Sequence, residues 1–265
     1  MLCDFHLHTD FSGDSQTPAA VQIEKAIHLG MPRICITDHH DMDVVSSCDF
    51  SLNLPAYFPA MKQLQTQYQE KIKIEIGIEL GLQNRISGKL LEVSNQYPFD
   101  YIIGSCHFID SLDPYYPEFF QGKTERQAYR RFFEVTLSRV QNLNCFDSLG
   151  HLDYVVRYGP NKNREYQYKD YQDLIDCILK VLIQKGKALE CNTGGFHYGL
   201  GHPNPCEEIL CRYRELGGEL LTIGSDAHSP EYIGFDFERT RELLKYCGFS
   251  YYTVYHQRKP DFLTL

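Results

Sequence analysis

Short apolar runs alternate along the chain with longer segments in which apolar residues recur at helical spacing. Runs with the length of one buried strand lie at 2–6, 33–37, 71–80, 101–106, 145–149, 187–191, 220–224 and 250–255. Segments of helical period lie between them, at about 17–29, 56–68, 87–95, 124–141, 171–185, 205–216 and 235–246. This repeated alternation of strand and helix predicts a parallel sheet with helices packed outside it.

A parallel sheet of this kind is either an open, doubly wound sheet or a closed barrel. Dinucleotide-binding sheets carry GxGxxG after the first strand and P-loop enzymes carry GxxxxGK[ST]; neither pattern occurs here. Instead, a histidine or a carboxylate follows nearly every strand. Because only closure brings the C-terminal ends of all the strands around one axis, the sequence favours a TIM-like α/β barrel.

Composition limits the class of protein. A length of 265 residues fits one barrel or two small domains, and we expect a single domain over 1–265. The hydrophobic fraction of 43% and the charged fraction of 23% are typical of a globular chain. A net charge of −9 and the lack of a basic stripe argue against nucleic acid as a partner.

The cysteines and the first residues bear on location. Several of the ten cysteines lie in apolar segments, where a free thiol packs as a small hydrophobe, and there is no CxxC pair. The start of the chain has neither the cationic nor the apolar stretch of a signal peptide. No apolar run approaches the ~20 residues that a membrane-spanning helix needs. We therefore expect a reduced, cytoplasmic protein without a membrane partner.

Histidines and carboxylates concentrate where the strands end. Five of the eleven histidines follow a strand: His6, His39, His107, His151 and His228. His8 lies two residues beyond His6 and Asp226 two before His228, so each pair faces one side of an extended chain. Glu79 ends the third run and Asp14 lies in the loop after the first.

Each of these residues alone has an ordinary explanation, such as a solvated turn or a hydrogen-bonded histidine under a loop. Together, six imidazoles and three carboxylates on one rim would be poorly solvated unless cations held them together. Nine ligands are too many for one tetrahedral ion and suit two or three ions with a bridging carboxylate. Zn, Mn and Fe all accept imidazole with carboxylate, and the sequence does not choose among them.

These residues stand in motifs that resemble those of the PHP (polymerase and histidinol phosphatase) superfamily, in order and over essentially the whole chain. The motifs are His6 with His8; Ser12, Gly13 and Asp14; Thr37, Asp38 and His39; Gly77 with Glu79; Ser105 with His107; Gly150 with His151; and Ser225, Asp226, Ala227 and His228. Within the superfamily, the stretch 103–110, the strand 251–255 and the residues 258–260 resemble the histidinol-phosphate phosphatases of histidine biosynthesis. Cys106 departs from the aliphatic residue expected there.

The resemblance implies a distorted (β/α)7 barrel with three divalent metal ions, Zn, Mn or Fe, at the C-terminal ends of the strands. It also implies a phosphomonoesterase that hydrolyses a small phosphorylated metabolite, histidinol phosphate, by attack of a metal-bridging hydroxide. Three ligand sets are implied: His6, His8, Glu79 and Asp226; Glu79, His107 and His151; and Asp14, His39 and His228.

Further residues are candidates for catalysis or substrate binding. Asp226 or His228 is the expected donor of a proton to the leaving alkoxide. Arg157, on the loop after His151, is expected to clamp the phosphate, since arginine makes bidentate contacts to phosphate; the alternative is a surface arginine. His197 and His202, in and after the Gly-rich loop that follows the sixth run, are candidate substrate contacts.

Other interpretations stay open. The loop 113–117 either covers the site or only packs against the barrel. Another PHP activity, on small nucleotides, would use the same metal residues. A metal-dependent amidohydrolase also has His-x-His after a first barrel strand, but commonly bridges its metals with a modified lysine instead of a residue such as Glu79. A non-catalytic protein with a relict site is the remaining alternative.

Overall fold

The computed structural model describes residues 2–265 and contains seven parallel strands that form one curved sheet. In sheet order these are β1 (Asp4–Leu7), β2 (Arg33–Ile36), β4 (Lys73–Gly81), β5 (Tyr101–Ser105), β6 (Ser148–Leu149), β7 (Ala188–Asn192) and β8 (Leu221–Gly224). The two-residue strand β3 (His39–His40) follows β2 closely along the chain and pairs with the C-terminal half of β4.

The sheet closes between its first strand and the residues that follow its last. Leu7 forms a parallel bridge to Ala227, the His8 amide donates to the Ala227 carbonyl at 3.0 Å, and the Asp226 amide donates to the His6 carbonyl at 2.9 Å. The predicted barrel is therefore confirmed.

Helices connect the strands and cover the outside of the barrel. They are α1 (Ala19–His28), α2 (Leu54–Tyr68), α3 (Ser87–Gln96), α4 (Glu125–Asn142), α5 (Gln172–Lys185), α6 (Gly194–His197), α7 (Glu207–Glu215) and α8 (Phe237–Tyr246). Short 3-10 helices lie at Asn84–Ile86, Pro117–Phe120, Tyr154–Arg157, Tyr168–Tyr171 and Pro230–Tyr232. Within residues 2–265, no helix combines the length and apolarity that a membrane crossing requires.

The last predicted strand does not join the barrel. β9 (Tyr251–His256) pairs antiparallel with β10 (Lys259–Thr264) in a separate two-stranded sheet. β9 packs next to β8, and its central residues are buried while β10 is mostly exposed. The sequence predicted β9 but not β10, because the residues of β10 are largely polar and include Pro260.

Strand β4 carries different side chains to its two faces. Ile74, Ile76 and Ile78 alternate with Glu75, Gly77 and Glu79. A Cβ atom on Gly77 would lie 2.7 Å from Cys35 Sγ and 2.9 Å from the Tyr101 carbonyl oxygen. Both distances are too short, so only glycine fits at this position inside the barrel. The same alternation carries Glu79 to the C-terminal mouth of the barrel.

Candidate active site

Glu79 lies at the centre of a buried cluster at the C-terminal ends of the strands. Its Oε2 is 3.3 Å from His6 Nε2 and 3.5 Å from His8 Nε2. Its Oε1 is 2.8 Å from His151 Nε2 and 3.2 Å from His107 Nε2. One carboxylate therefore faces imidazoles from three different strand ends, as a bridging ligand would.

Asp226 also faces His6 and His8. Its Oδ1 is 3.5 Å from His6 Nε2 and 3.3 Å from His8 Nε2. The backbone of Asp226 is left-handed, with φ of +60°, a conformation that aspartate tolerates better than most residues. This turn directly after β8 presents the carboxylate to the mouth of the barrel.

A third group lies nearer to solvent. Asp14 Oδ2 is 3.2 Å from His228 Nε2 and 3.6 Å from His39 Nε2. His39 Nδ1 lies 2.9 Å from Glu79 Oε2, so this ring connects the outer group to the inner cluster. The hydroxyls of Ser15 and Thr17 donate to the His228 carbonyl at 2.8 and 3.0 Å and fix the loop that carries it.

Three histidines direct their Nδ1 atoms to acceptors behind the cluster: His6 to Glu190 Oε1 (2.6 Å), His8 to Ser12 Oγ (3.1 Å) and His107 to Asp41 Oδ2 (3.1 Å). Such contacts orient a ring and leave Nε2 to face a ligand. Glu190 and Asp41 were not predicted from the sequence. Glu190 could have been recognised as an acidic residue within a short apolar strand, β7, whose five residues are all buried.

Several polar atoms at the centre of the cluster make no hydrogen bond of acceptable geometry, although His39 Nδ1 and Glu79 Oε2 lie 2.9 Å apart. They are Nε2 of His6, His8 and His228, Nδ1 of His39, and Oε2 of Glu79. Buried polar atoms are almost always satisfied, so five unpartnered donor or acceptor atoms that face one another indicate a ligand between them. Imidazole nitrogens and carboxylate oxygens are the donor set that Zn, Mn and Fe accept. The residues fit divalent metal ions.

The electrostatics also favour positive charge. Burial alone would raise the pKa of Glu79, but His6, His39 and His107 hold it well below its ordinary value. Burial alone would lower the pKa of His39, but Glu79 and Asp14 raise it to about 9. Burial lowers the pKa of His8, and nearby His228 and His39 lower it further. The cluster thus keeps Glu79 ionised and attracts positive charge, and it favours a proton on His39 but disfavours one on His8.

A cavity of about 340 Å³ opens above the cluster. Arg157 contributes to its wall although the residue is only 3% exposed, so it is not a surface arginine. Its Nε donates to Asn204 Oδ1 at 2.7 Å, one terminal nitrogen to Asp226 Oδ2 at 2.8 Å and the other to Asn192 Oδ1 at 2.8 Å. The guanidinium stacks over Tyr198 with its carbon 4.7 Å from the ring centre.

The remaining wall is acidic and aromatic. Asp113, Tyr115 and Tyr116 line the cavity, so the loop 113–117 belongs to the site and does not only pack against the barrel. Asp113 Oδ1 accepts from the Tyr115 amide at 2.8 Å, and burial raises the pKa of its carboxyl. The hydroxyl groups of Tyr116 and Ser47 form a hydrogen bond of 2.5 Å. This bond connects the loop 113–117 to the loop after β3.

His197 and His202 are not brought to the cavity wall. His197 stacks on Tyr232, with ring centres 3.6 Å apart, and His202 Nδ1 donates to the Pro203 carbonyl at 2.7 Å. Neither residue is among those that line the cavity. Their predicted contact with substrate therefore finds no support in the geometry, whereas all nine metal-ligand candidates meet in one place.

A closed parallel barrel with clustered histidines and carboxylates at the C-terminal ends of its strands is the architecture of metal-dependent hydrolases. Residues 4–194 match the model of the PHP domain family. Over 264 residues the chain is 34% identical to the histidinol-phosphatase of Lactococcus lactis, a match that covers 97% of this chain and 96% of that protein. It is 32% identical to a probable histidinol-phosphatase of Thermotoga maritima, with 96% and 95% covered.

A solved structure gives the same result. The crystal structure of histidinol phosphate phosphatase from Lactococcus lactis, complexed with zinc, L-histidinol and phosphate, matches with a TM-score of 0.92 and 35% identity. The match covers 98% of this chain and 100% of that one. The chain belongs to the PHP family, within its group of histidinol-phosphatases, which confirms the resemblance found in the sequence.

Proposed function

We propose that this enzyme hydrolyses L-histidinol phosphate to L-histidinol and inorganic phosphate. The observation that carries the proposal is the chemistry of a single cavity. Six of the nine candidate metal ligands line it together with Arg157, and Asp113 lines it among tyrosines. A phosphate monoester with a cationic and aromatic leaving group matches both parts. The relative from Lactococcus lactis, similar over its full length, binds histidinol and phosphate together with zinc.

Three divalent ions, Zn, Mn or Fe, are proposed to occupy the cluster in three ligand sets. These are His6, His8, Glu79 and Asp226; Glu79, His107 and His151; and Asp14, His39 and His228. When bound, such ions stabilise charge on phosphoryl oxygens and supply an activated water. The protein's own residues position the substrate and manage protons around them.

Arg157 is placed to bind the phosphoryl group. Its three hydrogen bonds, to Asn192, Asn204 and Asp226, use three of the five N–H donors of a guanidinium. Two donors remain for a ligand, and the side chain needs no reorganisation to offer them. Donors fixed in advance in a buried site stabilise transition-state charge most effectively.

The charge of the site matches a phosphate dianion. The positive charge of three divalent ions would be offset in part by the carboxylates of Asp14, Glu79 and Asp226. It would also be offset by Asp41 and Glu190, which contact cluster histidines. Together with the guanidinium of Arg157, this leaves a net charge of about +2. A phosphomonoester dianion neutralises it, whereas a neutral amide does not, so the geometry favours phosphatase over amidohydrolase chemistry.

Asp226 and His228 are the proposed donors of a proton to the leaving alkoxide. Asp226 Oδ2 already accepts from Arg157, and His228 Nδ1 donates to the Asp226 carbonyl at 2.9 Å. To identify which residue donates the proton, the rates of Asp226→Asn and His228→Asn are compared on phosphate esters whose leaving groups have high and low pKa. Loss of the true acid slows alkyl phosphates more than aryl phosphates, whereas loss of a ligand alone slows both equally.

The central test is phosphate release by the purified enzyme loaded with Zn²⁺ or Mn²⁺. We expect kcat/KM for histidinol phosphate to exceed that for nucleoside monophosphates by at least about 100-fold, the discrimination that lost polar and charged contacts produce. The variant Glu79→Gln serves as the inactive control. Equal or faster release from nucleotides would instead assign the enzyme to nucleotide hydrolysis.

We also place the enzyme in the cytoplasm. Most of its cysteines are buried free thiols, which is typical of a reducing compartment. Fractionation of the source cells, with the enzyme detected by antibody, tests this location.

A further inference from the structure

Glu190 is a buried carboxylate outside the nine candidate ligands, and three donors converge on it. Its Oε1 lies 2.6 Å from His6 Nδ1. Its Oε2 accepts from the His151 backbone amide at 2.8 Å and from Asn192 Nδ2 at 3.1 Å. The side chain is 1% exposed and is not part of the cavity wall. Any influence on the reaction must therefore pass through its neighbours.

The direction of each hydrogen bond is fixed. A backbone amide can only donate. Asn192 Oδ1 accepts from Arg157 and from the Gly194 amide, so its Nδ2 must be the end that faces Glu190. An ionised glutamate, which only accepts, satisfies all of these partners. His6 must then carry its proton on Nδ1, and the bare Nε2 faces Glu79 and Asp226.

The surrounding backbone leaves room for this contact. A Cβ atom on Gly224 would lie 2.3 Å from His6 Cβ and 2.7 Å from Glu190 Oε1. Any larger residue at Gly224 would push the carboxylate and the ring apart. Asp41 makes a similar contact to His107, but it lines the cavity and can touch substrate directly; Glu190 cannot.

We propose that Glu190 is a positioning residue for the metal centre. It sets the tautomer of His6 and ties that ring to the backbone of His151, so that one residue of the first ligand set and one of the second are held in place on the two sides of Glu79. This inference rests on the proposed function only in requiring that divalent ions bind the cluster.

The test is the variant Glu190→Gln, studied by metal binding without substrate. Glutamine keeps the size of the side chain but offers one acceptor and one donor, so an N–H group must face either His6 or His151. We expect the apparent affinity for Zn²⁺ or Mn²⁺, measured by competition with a chromophoric chelator, to fall about 10–100-fold. Affinity within twofold of the unaltered enzyme would overturn the proposal.

Glu75→Gln is the matched control, because Glu75 is an equally buried glutamate at the opposite end of β4. It should bind metal as tightly as the unaltered enzyme, even if its thermal midpoint falls. If both variants lost metal affinity equally, a general loss of stability would be the cause and the proposal would be rejected.

A second measurement needs no variant. In the Zn²⁺-loaded, unaltered enzyme, ¹⁵N-edited NMR of the histidine rings should show His6 with a slowly exchanging proton on Nδ1 and the metal on Nε2. Metal on Nδ1 contradicts the proposal. Because neither measurement uses turnover, failure here is distinguishable from failure to hydrolyse histidinol phosphate.

Discussion

Arg157 is held in place before any substrate binds. Its guanidinium contacts two asparagine oxygens and the carboxylate of Asp226, and Asn204 is itself held by Asp153 Oδ1 at 2.6 Å. Burial alone would lower the pKa of Arg157, but Asp226 keeps it raised. A fully charged, immobile guanidinium loses little entropy when it receives a phosphoryl group.

Arg157→Ala should lower kcat/KM for histidinol phosphate by about 100- to 1000-fold, because it removes preorganised donors from the transition state. Arg157→Lys should recover little of this loss, since an ammonium lacks the planar fork. Arg164→Ala, an exposed arginine on the same loop, is the control and should behave like the unaltered enzyme. Unchanged steady-state kinetics in Arg157→Ala would remove this residue from the site.

Asp113 is expected to recognise the cationic part of the substrate. Asp113→Asn keeps the shape of the loop but removes the charge, so KM for histidinol phosphate should rise about tenfold, a typical loss for one charge-assisted contact. KM for p-nitrophenyl phosphate, which has no cationic group, should not change. Equal changes for both substrates would show that Asp113 supports the loop and does not read the substrate.

At the scale of single elements, polar contacts of His256 connect the C-terminal hairpin to the base of the barrel. His256, at the end of β9, places Nδ1 2.8 Å from Glu75 Oε2 and 3.2 Å from Asp100 Oδ1. The Gln257 amide also donates to Asp100 at 3.1 Å. These contacts lie at the end of β4 opposite Glu79, so they bear on stability and not on the reaction.

His256→Ala should therefore lower the thermal midpoint by roughly 2–4 °C, as expected for a loss of about 1 kcal/mol in a chain of this size. The loss is small because the His256 side chain is 49% exposed and solvent screens such pairs. Calorimetry measures the shift, and kcat should stay unchanged. His28→Ala, on the exposed face of α1, is the control. An equal shift in that variant would show that the contacts of His256 do not specifically stabilise the hairpin.

Most barrel elements were predictable because their periodicity reflects burial. Helix α4, for instance, was expected at 124–141 and lies at Glu125–Asn142, where the capping box of Thr124 and Gln127 fixes its start. Strand β6 was expected at 145–149 but is only Ser148–Leu149. The pairing of β9 with β10 was not predicted, because the polar residues and Pro260 of β10 lack the pattern of a strand.

At the scale of the whole molecule, barrel closure explains why distant residues could be grouped from the sequence. Residues at the ends of parallel strands converge whatever their separation along the chain, so His6 and His228 could be placed together without a structure. Glu190 and Asn204 were missed because they do not line the cavity and act through hydrogen bonds to other side chains, whereas Asp41 was missed although it lines the cavity directly after a strand end. The strand-end rule finds groups that face the cavity, but it cannot find the groups behind them.

The same convergence should make the stability of the fold depend on the proposed metal ions. Without cations, the unpartnered nitrogens of His6, His8 and His228 and the unpartnered Oε2 of Glu79 lie buried at a cost of about 1–3 kcal/mol each. Ligands that bind only the folded state stabilise it by mass action, by about 2.7 kcal/mol at 100 times the dissociation constant. Metal removal by dialysis against a chelator should therefore abolish phosphate release and lower the thermal midpoint by roughly 5–10 °C.

Adding Zn²⁺ or Mn²⁺ back should restore both properties, whereas chelator saturated beforehand with the same metal ion should leave the loaded enzyme unaffected. Elemental analysis must verify that the dialysed protein is free of metal. Full turnover and an unchanged thermal midpoint in metal-free protein would mean that these side chains need no bound cation for catalysis or for stability. Restored stability without turnover would indicate a structural metal site in a protein that no longer catalyses the reaction.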